Sequence, residues 1–173
     1  MDTLPQFSIP FSGLADGVHE FDFQVDTKFF AAFEASPIKD AAIQNHLIFD
    51  KRADMMVLTF ENRGTINTTC DRCLEEFDLP IDDTQSLIFK FSDDANNDPD
   101  VVHLPKGTKT LNAAEYIYEF IILAIPMIKT HDLADEDCDE EMLNYLDPIE
   151  EEEDKKDEPE NPIWGALKNF NNN

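Results

Sequence analysis

The feature that most constrains the fold is a long stretch, residues 41–92, in which apolar and polar side chains alternate. Alternation with a period of two is typical of strands that bury one face of a sheet. Residues 50–54 and the triplet Asn62-Arg63-Gly64 favour chain reversals, because Asn and Gly tolerate the backbone angles of tight hairpins. The sequence therefore predicts an antiparallel meander built from five pieces: AAIQNHLIFDK, DMMVLTFEN, GTINTTC, EEFDLPI and TQSLIFKFS.

Segments on both sides of this stretch complete the predicted fold. Residues 18–25, VHEFDFQV, indicate a half-buried strand, and TKFFAAFEAS after it indicates a short helix that Pro37 would stop. A short strand is expected at 101–104. Residues 112–126 indicate a longer helix, with Asn112 as its N-cap and Pro126 as its stop. Its buried face would comprise Ile117, Phe120, Ile121 and Ala124, widened by Ile122, Leu123 and Ile125. We therefore expect an α+β fold in which a long helix covers an antiparallel sheet.

Charge divides the chain into three predicted parts. Residues 132–160 contain 16 acidic and 2 basic side chains, so this block carries most of the net charge of −25. Such a block repels itself and favours disorder. We expect an α+β domain over residues 1–131, a flexible acidic linker over 132–160, and a short amphipathic helix with a tail over 161–173.

The acidic balance also restricts the partners. A net charge of −25 repels a phosphate backbone, so DNA is excluded as a partner and direct RNA contact is left open. The same charge attracts cationic surfaces, such as a small basic ribosomal protein. The sequence offers no membrane-spanning stretch, and MDTLPQFSIPF lacks the features of a secretion signal. With three cysteines, an odd number, we expect a cytoplasmic protein without a disulfide framework.

A CDRC sequence is the main candidate for a metal site. Cys70 and Cys73 have the spacing at which two thiolates can bind one zinc ion. His131 and Cys138 follow the predicted long helix and would complete a tetrahedral site for a structural zinc. Two alternatives stay open at this point: turn and core cysteines without a metal, and redox chemistry.

Two groups of residues are candidates for binding a partner. Arg72, inside the cysteine pair, could hold a phosphate or a carboxylate through its guanidinium, or could form a local salt bridge. The C-terminal NPIWGALKNF presents an amphipathic face suited to groove docking, with Trp164 as its anchor. The residues of this face are Ile163, Trp164, Leu167 and Phe170. Folding back onto its own domain is the alternative for this segment.

No catalytic signature accompanies these features. Three histidines, at positions 19, 46 and 103, lack a nearby Ser or Cys in any recognisable catalytic pattern, and a chain with 5 glycines shows no Gly-rich phosphate loop. The acidic runs lack the ordered ligand positions of a calcium loop. We therefore expect a protein that is not an enzyme.

The order of four segments resembles the YceD-like family of large ribosomal RNA subunit accumulation proteins. The segments are TTCDRCLEEF, EYIYEFIILAIPMIKTH, CDEEM and NPIWGALKNF, and the resemblance covers roughly residues 50 to 170. It implies a role in the synthesis, processing or stability of large-subunit rRNA, without a catalytic mechanism or an established metal. The matching positions are Cys70, Arg72 and Cys73, then Glu119, Leu123 and Pro126, then Asn161, Pro162 and Leu167. Ile163 stands where a typical member has Arg, which weakens any role for a basic side chain there.

These observations lead to one main hypothesis and two alternatives. The main hypothesis is a non-catalytic ribosome-biogenesis factor that binds a basic ribosomal protein or a large-subunit precursor. The first alternative is a metal-dependent rRNA-processing enzyme, which would need clustered carboxylates and a cationic route for RNA. The second is a zinc-stabilised adaptor with a non-ribosomal partner.

Overall fold

A computed structural model describes residues 4–34, 36–92 and 101–144. Seven strands and three α-helices form within these ranges, together with 3₁₀ turns at Pro5–Phe7, Phe11–Gly13 and His131–Ala134. The strands are Ser8–Ile9 (β1), Gly17–Asp26 (β2), Asp40–Lys51 (β3), Met55–Thr69 (β4), Glu76–Phe91 (β5), Val101–Leu104 (β6) and Leu111–Asn112 (β7). The helices are Thr27–Ala31 (α1), Ala114–Ala124 (α2) and Glu140–Leu143 (α3).

A five-stranded sheet in the order β2-β3-β4-β5-β6 dominates the fold. Strands β2 to β5 pair antiparallel with their neighbours in sequence, as the alternating pattern predicts. Strand β6 lies at the expected residues but runs parallel to β5, with Ile88 opposite Val101. The sheet is therefore mixed rather than wholly antiparallel. The short β1 and β7 form a separate antiparallel pair.

The five predicted pieces of the meander form only three long strands. The reversal expected at residues 50–54 is the β3–β4 hairpin, but the one expected at Asn62-Arg63-Gly64 is wrong, because these residues lie inside β4. Gly64 pairs with Ile43 on one side and Ile81 on the other, so ladders on both sides hold the chain extended. Pairing of β4 with both β3 and β5 therefore outweighs the turn propensity of Asn62, Arg63 and Gly64.

One face of the sheet forms the core with α1 and α2. Leu47, Phe49, Leu58, Phe60 and Phe89 are fully buried on this face. From α2, the ring of Phe120 lies 5.2 Å from that of Phe60, and Tyr116 lies 5.3 Å from Phe89. Ile117 and Ile121 of the same helix are also fully buried.

The predicted α+β fold, with a long helix covering the sheet, is wrong: the protein is mostly β, with a mixed sheet and only short helices. Helix α2 has 11 residues, which is about 16 Å at 1.5 Å per residue, whereas the 16 residues of β5 extend for about 53 Å. A helix of this length covers only part of the sheet. Its N-cap is Ala113 rather than Asn112, although the Asn112 side chain accepts a hydrogen bond from the Ala114 N–H at 2.9 Å. Leu123, expected on the buried face, is exposed.

The chain divides into two compact units, residues 1–139 and 140–173. Within the predicted acidic linker, Cys138 is buried in the first unit and α3 begins the second. The remaining residues of that linker, 145–160, and the predicted helix and tail at 161–173 lie outside the described residues. None of the described helices has the length and apolar character needed to cross a membrane.

Candidate metal centre

The first half of the candidate centre is the turn that links β4 to β5. Within it, the Cys70 N–H donates to the carbonyl of Glu75 at 2.8 Å, and the Leu74 N–H donates to the carbonyl of Cys70 at 3.0 Å. Leu74 adopts a left-handed backbone conformation with φ 64°, which closes the turn. Cys70 and Cys73 are both buried beneath it. The two thiols thus lie in one tight turn at the end of the sheet.

The second half is the segment that follows α2. Two hydrogen bonds tie it to the cysteine turn: the Asp71 N–H donates to the Lys129 carbonyl, and the Lys129 N–H donates to the Asp71 carboxylate, each at 2.6 Å. The 3₁₀ turn at His131–Ala134 follows, and its C-cap is Asp135, which has a left-handed φ of 55°. This turn places His131 next to Cys73, and the residues after it bring Cys138 close to Cys70.

The structure brings all four sequence-predicted ligands together. The potential ligand atoms of Cys70, Cys73, His131 and Cys138 lie within 4.8 Å of one another, and all four residues are buried. The Cys70 and Cys138 sulfurs are 3.8 Å apart, and His131 Nδ1 lies 3.4 Å from the Cys73 sulfur and 3.7 Å from that of Cys138. A tetrahedral zinc site with bonds of about 2.3 Å to sulfur and 2.0 Å to nitrogen has ligand–ligand separations of about 3.5–3.8 Å. The donor set and its spacing fit zinc.

The pKa values of the Cys70 and Cys138 thiols are shifted in opposite directions. Burial alone would raise the pKa of the Cys70 thiol, but hydrogen bonds from the backbone N–H groups of Cys73 and Arg72 favour its thiolate. Together with hydrogen bonds from His131, they bring the pKa of Cys70 down to about 6. Burial and the neighbouring thiols raise the pKa of Cys138. A divalent cation would lower the pKa of each thiol that coordinates it, because it stabilises the bound thiolate.

Arg72 and Phe77 surround the cluster. The Arg72 guanidinium lies 2.8 Å from the Asp132 carboxylate and 3.9 Å from the Cys138 sulfur, and its backbone N–H donates to the Cys70 sulfur at 3.4 Å. The Phe77 ring packs 4.7 Å from the His131 ring. Zinc with three thiolates and a neutral imidazole carries roughly one net negative charge, which the Arg72 cation offsets.

The surroundings favour a structural metal over redox chemistry. All three cysteines are free thiols. A thioredoxin-type pair begins a helix in a β-α-β unit, whereas Cys70 and Cys73 lie in a turn between two antiparallel strands. A buried site with four protein ligands leaves no open position for a substrate, which is the arrangement of structural zinc.

The predicted partner-binding residues have different positions. Arg72 forms the ion pair with Asp132 and is half-exposed, and its role in binding a partner stays a prediction. Ile163, Trp164, Leu167 and Phe170 lie outside the described residues. Two features were not predicted from the sequence: the hydrogen bonds between Asp71 and Lys129, and the exposure of Leu74, Met127 and Ile128. Met127 and Ile128 directly follow Pro126, and this order was the signal for their exposure. Because a proline ends a helix, the residues after it no longer belong to the buried face of that helix.

A family model decides the relationship that the segment order suggested. The model described as "Large ribosomal RNA subunit accumulation protein YceD" matches residues 58–171, which is more than half of the chain. The chain belongs to the YceD family. The matched range includes all four candidate zinc ligands and extends over the C-terminal segment. Searches of the curated proteins and of the solved structures gave no match. The description of the YceD family supports a role in ribosome biogenesis that concerns large-subunit rRNA.

Proposed function

We propose that this YceD-family chain is a non-catalytic binding protein that acts in the cytoplasm on a basic ribosomal protein or a precursor of the large subunit. The observation that carries the proposal is the closed, buried cluster of three cysteines and one histidine. In such a site zinc supports structure, because no coordination position remains for water or substrate. The zinc would hold the turn after β4 against the segment after α2 and so form a rigid binding surface.

The charge of the chain supports a protein partner. A net charge of −25 opposes contact with a phosphate backbone and favours association with a cationic protein. A factor that binds such a protein could promote its assembly onto rRNA and so stabilise the RNA indirectly. An rRNA-processing enzyme would instead need a cationic route for its substrate.

Metal analysis of the purified chain tests the proposed zinc. We expect one zinc per chain, and a cobalt-substituted form with sulfur-to-cobalt charge-transfer bands. His131→Asn should lose both signals, whereas His46→Asn, which changes a half-exposed histidine on β3, should keep them. Wild-type protein purified without metal and unable to bind cobalt would refute the proposed centre.

Sedimentation of cell extracts tests the proposed partner. We expect the chain to migrate with large-subunit precursors at low salt and to dissociate as salt rises, because screening weakens charge attraction. The chain should leave precursor rRNA uncleaved when the purified components are mixed. Absence from precursor particles at low salt would refute the proposal, and chelator-sensitive cleavage would favour the processing enzyme. Co-purification with a non-ribosomal protein alone would favour the zinc-stabilised adaptor.

A further inference from the structure

Exposed apolar side chains flank the ligands of the candidate metal centre along the sequence. Met127 is 97% exposed, Leu123 77%, Ile128 70% and Leu74 67%, and Leu133 is also exposed. We call these five residues the apolar rim. Among the described residues, Val18 on β2 is the other exposed large hydrophobic side chain. Exposed apolar residues that cluster in one region mark interaction sites more often than scattered ones do.

The elements that carry the apolar rim are held by the centre and its hydrogen bonds. Leu74 follows the ligand Cys73, and Leu133 lies two residues after the ligand His131. Met127 and Ile128 precede Lys129, whose backbone N–H and carbonyl both bond to Asp71. Lys129 Nζ also lies 3.3 Å from the Asp71 carboxylate. The rim is thus supported by a fixed backbone, which lowers the entropic cost of binding.

Carboxylates border the apolar rim. The two segments that carry it, residues 70–77 and 123–139, contain eight acidic and two basic side chains, which is a net charge of −6. Both cations already have carboxylate partners, since Arg72 pairs with Asp132 and Lys129 with Asp71. With zinc bound, the ion and its three thiolates together would add roughly one further negative charge. The surface therefore combines apolar contact area with an acidic border.

We propose that the apolar rim is a docking site for a cationic amphipathic segment of a partner protein. Apolar side chains of that segment would cover Met127, Ile128 and Leu74, and its lysines and arginines would face the bordering carboxylates. This inference rests on the proposed function and names the surface that would perform it. The acidic border repels other occupants that are negatively charged: RNA, an anionic lipid surface, a second copy of this acidic chain and the chain's own acidic residues 145–173.

Photocrosslinking identifies the class of partner directly. Benzoylphenylalanine in place of Met127 should crosslink in cells to a basic protein. The same photoreactive residue in place of Val18, which is exposed on β2 outside the apolar rim, should not. Crosslinks from position 127 to RNA, to lipid, to a second copy or to this chain's own residues 145–173 would overturn the proposal.

Peptide binding tests the chemistry of recognition with a defined probe. The probe is a synthetic helix-forming peptide with leucines on one face and lysines and arginines on the other, and a scrambled peptide of the same composition controls for charge. Zinc-loaded wild-type protein should bind the amphipathic peptide at least about tenfold more tightly than the scrambled one. Equal affinity for the two peptides would mean that charge alone drives binding and would overturn the docking site.

Surface variants assign that affinity to the apolar rim. The double variant Met127→Ser/Ile128→Ser should weaken peptide binding about tenfold or more, whereas Val18→Ser should change it less than about twofold. If the double variant loses zinc, the effect of Leu74→Ser, in the turn that contains Cys70 and Cys73, decides instead. Unchanged affinity for the peptide in zinc-loaded variants would refute the apolar rim as the docking site.

Sedimentation of the same variants separates this inference from the proposed function. If wild-type chain and rim variants both migrate with large-subunit precursors, the proposed function holds and the apolar rim is not the docking site. If wild-type chain binds the peptide through the rim but never migrates with precursors, the rim stands as a protein-docking site and the ribosomal function fails. If the rim variants fail to migrate with precursors while the wild-type chain does migrate, both the proposed function and the docking site are supported.

Discussion

At the scale of single residues, Gly64 shows how closely β3 and β4 approach each other. Its φ is 155°, and an added Cβ would overlap the carbonyl oxygen of Ala42 and lie 2.6 Å from the Cα of Ile43. Both obstacles are backbone atoms of β3, which cannot move without breaking the ladder. Glycine is therefore required inside a strand where its turn propensity suggested a reversal.

Gly64→Ala should lower the free energy of unfolding by about 2–4 kcal/mol, because it adds backbone strain and a clash with β3. Gly13→Ala is the matched control, since an added Cβ there would meet no atom within 4 Å. We expect the control to change stability by less than about 1 kcal/mol. Urea denaturation measures both, and similar effects of the two substitutions would contradict the close approach.

His46 and Asp22 form a titratable pair across β2 and β3. Their side chains lie 2.8 Å apart, and the hydrogen bond to Asp22 raises the pKa of His46 above its usual 6.5. A raised folded-state pKa contributes stability that is complete below pH 6.5 and is lost as pH rises through the folded value. Asp22→Asn should lower the pKa of His46 in an NMR titration and reduce this pH dependence, while Glu20 and Glu61 continue to raise the pKa. A pKa of His46 at or below 6.5 in the wild-type chain would contradict the hydrogen bond between His46 and Asp22.

At the scale of elements, the candidate metal centre joins two parts of the chain that are distant in sequence. Cys73 and His131 are 58 residues apart, and Cys70 and Cys138 are 68 apart. In the described residues, this junction is also supported by the Asp71–Lys129 bonds, the Arg72–Asp132 pair and the packing of Phe77 against His131. The charged groups are largely exposed and contribute modestly, so the metal would add a large part of the stability of the junction.

Removal of zinc should therefore lower the melting temperature by about 10 °C. A ligand at about 1,000 times its Kd adds about 4 kcal/mol, and 1 kcal/mol corresponds to about 2–4 °C for a chain of this size. Amide hydrogen exchange should accelerate at residues 70–74 and 131–138, while β3, which lies between β2 and β4, should keep its protection. Re-addition of zinc controls for chelator effects, and unchanged exchange at both sites would contradict a structural metal.

At the scale of the whole molecule, the net charge of the chain opposes its compaction. The chain carries 38 acidic and 13 basic residues, so like charges repel one another throughout its sequence. The buried face of the sheet must overcome this repulsion, and its many phenylalanines provide the apolar area. The same excess of charge would attract a cationic ribosomal protein.

Salt should therefore act in opposite directions on folding and on partner binding. Raising NaCl from about 0.01 M to about 0.5 M shortens the Debye length from about 30 Å to a few ångströms, which screens self-repulsion. We expect the melting temperature of the zinc-loaded chain to rise while its association with precursors weakens. KCl at equal ionic strength is the control and should have the same effect. A falling melting temperature would contradict the role of self-repulsion.

The sequence by itself determined the local features of this protein. The alternation over residues 41–92 predicted that the residues of β3, β4 and β5 form strands, because burial of one sheet face imposes a period of two on any strand. Pro126 set the end of α2 to within two residues, because the residue before a proline avoids helical angles. The spacing of Cys70 and Cys73 and the order of the segments also identified the candidate ligands and the family.

Only the tertiary structure decided what depends on contacts between distant residues. It joined the predicted pieces into long strands, because β4 is paired on both sides through Gly64. It added β6 in parallel, limited α2 to a part of the sheet, and exposed Leu123 together with Met127 and Ile128. It also brought His131 and Cys138 to the cysteine turn. The physical reason is that periodicity and spacing are set by neighbours along the chain, whereas pairing, exposure and a shared metal site are set by neighbours in space.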